Sequence, residues 1–268
     1  MSKNMVVGFP LFDRVTLVDF VGATQIFSEA EGFTPMWLAP EIRPYETTEK
    51  TLYQQPICIT PQFTFRDRPK IDILFCPGGN AGYYDESRGG GPGYVGAMLD
   101  GDNPNGYQQF VRDVSQEADW CGSVCTGAFI LAAAGLFDDC TATTYWSVIE
   151  ELRRFPRIRV PDNYPRALIE RSKGRFSGGG VSSSLDLALA LVNEIADERV
   201  AATAQLVAQY SPDPIINFGD PACASQGMVE ESELVKEERR KQETGIIEPT
   251  RAAVTKVLET IGEDISQT

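Results

Sequence analysis

The stretch that decides the fold is Trp120-Cys-Gly-Ser-Val-Cys-Thr-Gly-Ala-Phe-Ile-Leu-Ala-Ala-Ala-Gly135. A short apolar run (120–124) reads as a strand, and an Ala-rich run (126–136), ended by Gly135 and Asp138, reads as a helix. Cys125 stands at the junction. Gly122 and Gly127 leave room for a tight turn, much as glycines do around the serine of a nucleophile elbow. A thiol at a helix amino terminus meets unpaired amide hydrogens and the positive end of the helix dipole, both of which favour the thiolate. Free cysteines in general only pack in cores; the position at a strand-to-helix corner is what marks Cys125 as a nucleophile. The amide and hydroxyl of Thr126 are candidates for holding a developing negative charge, together with an amide from Gly79.

Working outward, the chain alternates between the two patterns. Residues 5–9, 35–39 and 71–76 read as strands, and 57–60 as a short β-like run. Residues 17–29, 107–117, 185–195 and 197–209 carry helical apolar spacing, and 142–146 lead into a helix at 147–154. Further strands or a hairpin are expected at 157–160, 167–172 and 175–177. Ser182, Ser183 and Ser184 are candidate caps for the helix at 185–195. The segment around Tyr45, Thr47, Thr48 and Thr51 has no clear pattern. This alternation implies an α/β fold: a flavodoxin-like, doubly wound, mostly parallel sheet with helices on both faces. Ligands bind such sheets beyond the carboxyl ends of the strands, and three corners there carry chemistry: Asp19, Gly78 with Gly79, and Cys125. The expected organisation is one α/β domain over 1–222, with a long loop insertion at about 80–105, and a helical tail over 223–268 with helices at 230–243 and 248–261.

Composition excludes several functions. Lys and Arg number 24 against 38 Asp and Glu, a net charge of −14, so nucleic acid and anionic membrane surfaces would be repelled. The amino terminus lacks a secretory pattern and the longest apolar run, 128–137, is too short to span a bilayer, so a cytoplasmic protein is expected. The six cysteines show no C-x-x-C spacing, and free thiols are expected. There is no histidine at all, which removes the commonest zinc and copper ligand and the commonest general base near neutral pH. No metal site is expected. The Gly90-Gly-Gly-Pro-Gly93 run lacks the Gly-Lys-Ser/Thr ending of a phosphate loop.

Val124-Cys-Thr-Gly127, the helix 129–136 and Ala142-Thr-Thr144 resemble the ThiJ/PfpI superfamily, which is class I glutamine amidotransferase-like. The closer likeness is to its isonitrile hydratases, carried by Leu17-Val-Asp-Phe-Val-Gly22, Cys76-Pro-Gly-Gly79, Ser177-Gly-Gly-Gly-Val-Ser182, Tyr210-Ser-Pro-Asp-Pro214 and Asn217-Phe-Gly-Asp-Pro221. It covers about residues 5–222. The resemblance implies a homodimer without metal or organic cofactor that adds water to an isocyanide, giving an N-substituted formamide. Tyr145 stands where the superfamily commonly has histidine.

The carbon of an isocyanide accepts both a proton and a nucleophile, so the expected machinery is a thiol and an acid in one small pocket. Cys125 and Asp19 fill those roles: Asp19 protonates the carbon while Cys125 adds to it, and Asp19 then activates water against the thioimidate. This requires Asp19 to hold a proton near neutral pH, well above the usual carboxylate value of about 3.9. The plainer reading of Asp19 is a first-turn acid complementing the helix dipole. Asp13 is the second candidate from the same loop. Gly78 and Gly79 are expected to donate backbone hydrogen bonds, and Tyr145 and Trp146 to line an apolar pocket. The competing functions are a glyoxalase or deglycase, and a thiol-based ligand or redox sensor.

Overall fold

The computed structural model describes residues 4–50, 56–81, 93–101, 103–216, 219–221, 240 and 242–262. Its elements, in chain order, are β1 (Met5–Pro10), α1 (Leu17–Glu29), β2 (Phe33–Ala39), β3 (Tyr45–Lys50), β4 (Pro56–Ile59), β5 (Phe63–Thr64), β6 (Ile73–Cys76), α2 (Gly93–Leu99), α3 (Tyr107–Ser115), β7 (Trp120–Val124), α4 (Gly127–Ala133), β8 (Cys140–Thr141), α5 (Ile149–Arg153), β9 (Ile158–Arg159), β10 (Ala167–Glu170), β11 (Arg175–Gly178), α6 (Ser183–Ile195), α7 (Glu198–Val207) and α8 (Glu248–Ile261). The main sheet has the order β10-β11-β7-β6-β1-β2-β5. Every pairing in it is parallel except β10 with β11. Helices α1, α6 and α7 pack together on one side, and α2, α3, α4, α5 and α8 form the other layer. This is the expected mostly parallel sheet covered on both faces.

The core explains one of the glycines. Phe75 and Phe176 flank β7 at the level of Gly122, and their rings lie 5.3 Å apart. A Cβ on Gly122 would sit 2.2 Å from Phe176. The missing side chain lets two aromatic rings meet across the strand that carries Cys125, and Phe9 extends the row with its ring 5.1 Å from Phe75.

Three expectations need correction. The loop expected at 80–105 contains α2, whose Tyr94 is fully buried; residues 82–92 and 102 of that loop lie outside the described residues. Glycines at 93 and 96 lower helix propensity, and tertiary packing overrides them. The patternless segment after residue 44 is β3, paired antiparallel with β4 in a separate two-stranded sheet. Helix α6 starts at Ser183, and the residue before it, Ser182, makes no side-chain cap; its hydroxyl accepts from Arg166 Nη2 at 3.1 Å.

The tail joins the core. Helix α8 has Pro249 in its first turn and Gly262 in the left-handed conformation at its end, and it buries Ala253, Val254, Val257 and Leu258 in the same hydrophobic cluster as the sheet. Thr250 Oγ1 hydrogen-bonds to Tyr94 Oη. The buried Glu151 carboxylate is held by Arg154 at 3.0 Å and by Arg251 of α8 at 2.8 Å. The expected helix at 230–243 and Cys223 fall almost wholly outside the described residues. The five described cysteines are free, and no described helix is long and apolar enough to cross a membrane.

Candidate active site

Cys125 occupies a sharp corner. Its φ is +57°, a left-handed conformation that side chains other than glycine adopt at a cost of about 1–3 kcal/mol. The corner is tied on both sides. The Cys125 amide donates to the carbonyls of Gly178 and Gly179 at 3.2 and 2.8 Å, and the Thr144 hydroxyl donates to the Cys125 carbonyl at 2.8 Å.

Two other strand ends converge on it. Thr126 Oγ1 accepts from the Gly79 amide at 2.9 Å and donates to the Gly79 carbonyl at 3.0 Å, a two-way clasp between the cysteine corner and the turn after β6. The approach is close enough to require glycine: a Cβ on Gly78 would lie 2.6 Å from the Thr126 nitrogen and 2.8 Å from Cys125 Cβ. A Cβ on Gly127 would meet the Cys76 carbonyl oxygen at 2.5 Å. From the end of β1 comes Asp19, in the first turn of α1 and fully buried; its Oδ2 accepts from the Gly78 amide at 2.9 Å. The Asp19 carboxyl lies beside the Cys125 side chain. The structure therefore brings Cys125, Asp19, Thr126, Gly78 and Gly79 into one cluster at the carboxyl ends of β1, β6 and β7.

Electrostatics of the pair run opposite to the expectation of a stabilised thiolate. Burial pushes the Cys125 thiol well above the ordinary thiol value, and the neighbouring charge of Asp19 pushes the same way. The amide and hydroxyl of Thr126 pull downward and do not offset this. Complete burial removes the solvation that a thiolate needs, and the short α4 does not replace it. The Cys125 thiol therefore keeps its proton in the free protein.

The expected backbone donors are engaged within the protein: the Gly78 amide holds Asp19 and the Gly79 amide holds Thr126. Tyr145 and Trp146, with rings 5.8 Å apart, line a cleft of about 210 Å³ beside the corner. Asp13 is elsewhere, in a two-pronged ion pair with Arg43 at 3.1 and 2.5 Å. Thr144 and the Gly178 and Gly179 carbonyls were not expected as supports. Thr144 stood in the Ala142-Thr-Thr144 motif, but nothing in the local sequence says that its hydroxyl reaches back 19 residues. Among the described residues no group of three or more Cys, Asp or Glu is arranged to hold a metal ion.

The model of the DJ-1/PfpI family matches residues 95–194, the segment that holds Cys125, Thr126 and Thr144. Over that segment the chain resembles this family. It is 29% identical to an isonitrile hydratase from Pseudomonas putida over 226 residues, which is 84% of this chain and 87% of that one. A crystal structure of a ThiJ/PfpI family protein from Pseudomonas syringae superposes with a TM-score of 0.72 at 28% identity, covering 94% of this chain and 91% of the other. The chain is also 22% identical to the HTH-type transcriptional regulator GbdR of Pseudomonas aeruginosa over 69% of its own length and 45% of the regulator's. The chain therefore shares sequence both with a hydratase over nearly the whole length and with part of a longer regulator.

Proposed function

We propose that this chain hydrates isocyanides to N-substituted formamides. The observation that carries the reading is the buried contact between Cys125 and Asp19, in a chain that has no histidine. In this reading the pair starts with a proton on sulfur and a negative charge on Asp19. Asp19 takes the thiol proton and delivers it to the isocyanide carbon as sulfur bonds to the same carbon, giving R–N=CH–S–Cys125 and a carboxylate. Water then adds to that carbon: Asp19 removes one of its protons and passes it to nitrogen. The tetrahedral adduct R–NH–CH(OH)–S–Cys125 collapses, the C–S bond breaks, and the hydroxyl proton returns to the pair. The sum is one isocyanide and one water consumed and one formamide released, with no redox change.

In this reading Thr126 holds the sulfur during turnover through its amide, while Gly78 and Gly79 position Asp19 and Thr126 by backbone donation. Tyr145 and Trp146 contact the substrate. The reaction needs no cofactor, and the functional unit is a homodimer. Similarity to the hydratase across nearly its full length supports the assignment. Similarity to GbdR favours, as the second reading, a thiol sensor that binds a metabolite without turnover.

The test is to incubate the purified protein with cyclohexyl isocyanide and follow N-cyclohexylformamide by NMR, for wild type, Cys125→Ser and Asp19→Asn. Turnover by the wild type alone is expected. Equal turnover by all three would sink the mechanism, consumption of methylglyoxal alone would replace it with a glyoxalase, and a stable single adduct on Cys125 would replace it with a sensor. Sedimentation as a monomer at micromolar concentration would remove the dimer.

A further inference from the structure

The glycine-bearing helix α2, in the long segment between β6 and α3, has no part in the reaction proposed above. Together with the loops after β1 and β2 it encloses a second cavity. We infer that this cavity is a binding site for a small organic cation with an apolar body, separate from Cys125 and independent of the hydration reading.

The cavity holds about 310 Å³, at the lower end of the ~300–1,000 Å³ typical of small-molecule sites. Its lining includes none of Cys125, Asp19, Thr126, Gly78 or Gly79. One wall is α2, where Gly93, Gly96 and Ala97 fall at helical spacing and leave the helix surface bare toward the cavity. The buried part of the lining is Leu11, Phe12 and Tyr107. Phe12 meets the Tyr107 ring edge-on, with centroids 5.8 Å apart, and the Tyr107 hydroxyl is engaged by the Pro10 carbonyl at 2.6 Å. This surface presents rings and aliphatic carbon with its one hydroxyl already donating, and it suits a hydrocarbon or aromatic body.

Charge selects the other end of the ligand. The charged residues in the lining are Asp13, Glu41, Arg43 and Asp100, three carboxylates against one guanidinium. Arg43 is committed: its two Nη atoms hold Asp13 at 3.1 and 2.5 Å, and it lies 3.9 Å over the Tyr45 ring. An anion would have to displace Asp13 and would then face Glu41 and Asp100. An ammonium group gains from the same two residues. Glu41 is exposed, and the Asp100 oxygens take the Tyr107 and Gln108 amides at 2.5 and 2.9 Å, neutral donors that do not cancel its charge. The net charge of −14 draws cations toward the whole surface.

The experiment is calorimetry at low ionic strength with benzylammonium, benzyl alcohol and phenylacetate as probes, on the wild type, Glu41→Lys, Ala97→Leu and Cys125→Ser. The wild type should bind benzylammonium about threefold or more tighter than benzyl alcohol, the range of a partly exposed charge pair, and phenylacetate most weakly. Glu41→Lys should remove the preference for the cation. Ala97→Leu puts a larger side chain into the cavity and should weaken benzylammonium about tenfold. Cys125→Ser should bind as the wild type does. Circular dichroism checks the fold of Ala97→Leu, and if that variant does not fold, the exposed Glu41→Lys decides alone. The inference is overturned if the wild type binds none of the probes or does not prefer the cation, if Glu41→Lys keeps the preference, or if a folded Ala97→Leu binds unchanged. Loss of binding in Cys125→Ser would also overturn it, by placing the ligand at the reactive corner. Failure to hydrate isocyanides would count against the hydration reading alone.

Discussion

Two aspartates six residues apart, one in the β1–α1 loop and the other in the first turn of α1, have opposite fates. Asp13 is held by Arg43, which also lies 3.9 Å over the Tyr45 ring, and its surroundings are those of a surface ion pair. Asp19 is sealed against a buried thiol and steadied by a backbone amide. The residue type is the same, and the environment decides which one does chemistry. A carboxylate already satisfied by a guanidinium has no proton to relay, whereas one facing a thiol in a dry pocket shares a proton with it.

The comparison breaks most directly at Asp19. Asp19→Asn keeps the shape of the side chain and removes proton transfer, so kcat for isocyanide hydration should fall about 10²–10⁴-fold. Cys125→Ser should lose at least as much, and steady-state kinetics with the formamide readout check both. The same assays on Asp13→Asn should change little; a loss there as large as at Asp19 would erase the distinction. Next in size is Gly78→Ala, which forces a Cβ against the Thr126 nitrogen and Cys125 Cβ. The expected cost is about 1–3 kcal/mol of stability by denaturant melting, together with a loss of hydration activity.

A pH series sharpens the thiol side. Because burial and Asp19 both raise Cys125, its alkylation by iodoacetamide should keep rising above the pH where an ordinary thiol levels off, and Asp19→Asn should bring that rise to lower pH. Cys121, pushed up to about 11 by burial, predicts a stability effect. The folded state holds this proton more tightly than the unfolded chain, so stability is intact below pH 9, the ordinary value, and declines as pH rises from there through 11. Thermal melts across that window read it. Smallest of all, Asp13→Asn should cost no more than about 1 kcal/mol, since exposed ion pairs contribute little.

Much of this was legible in the sequence because it is local. Helix α1 and strand β7 follow from apolar periodicity within their own residues, and the cysteine corner from the glycines beside it. The parts that were not legible depend on residues far away in the chain. Strand β3 has no pattern of its own and is defined by its pairing with β4. Helix α2 is glycine-bearing and owes its burial to α4 and α8. Asp13 and Asp19 are only six residues apart, and only Gly78, 59 residues on from Asp19, and Arg43, 30 residues on from Asp13, tell them apart. The thiolate expected at Cys125 is opposed by burial for the same reason: a helix terminus is visible in sequence, and the depth at which it is buried is not.

Glu151 gives the carboxyl-terminal segment a meaning beyond packing. Its carboxylate is shared between Arg154, at the end of α5, and Arg251 of α8, and Arg154 in turn donates to the Arg251 carbonyl and the Thr255 hydroxyl. Trimming the chain ahead of Gln242 would strand part of that network and uncover α2 and α4 from behind the nucleophile, and leaving a buried charge short of a partner typically costs about 3–5 kcal/mol. Anyone shortening or fusing this protein at its far end would be working on the reactive corner from the back.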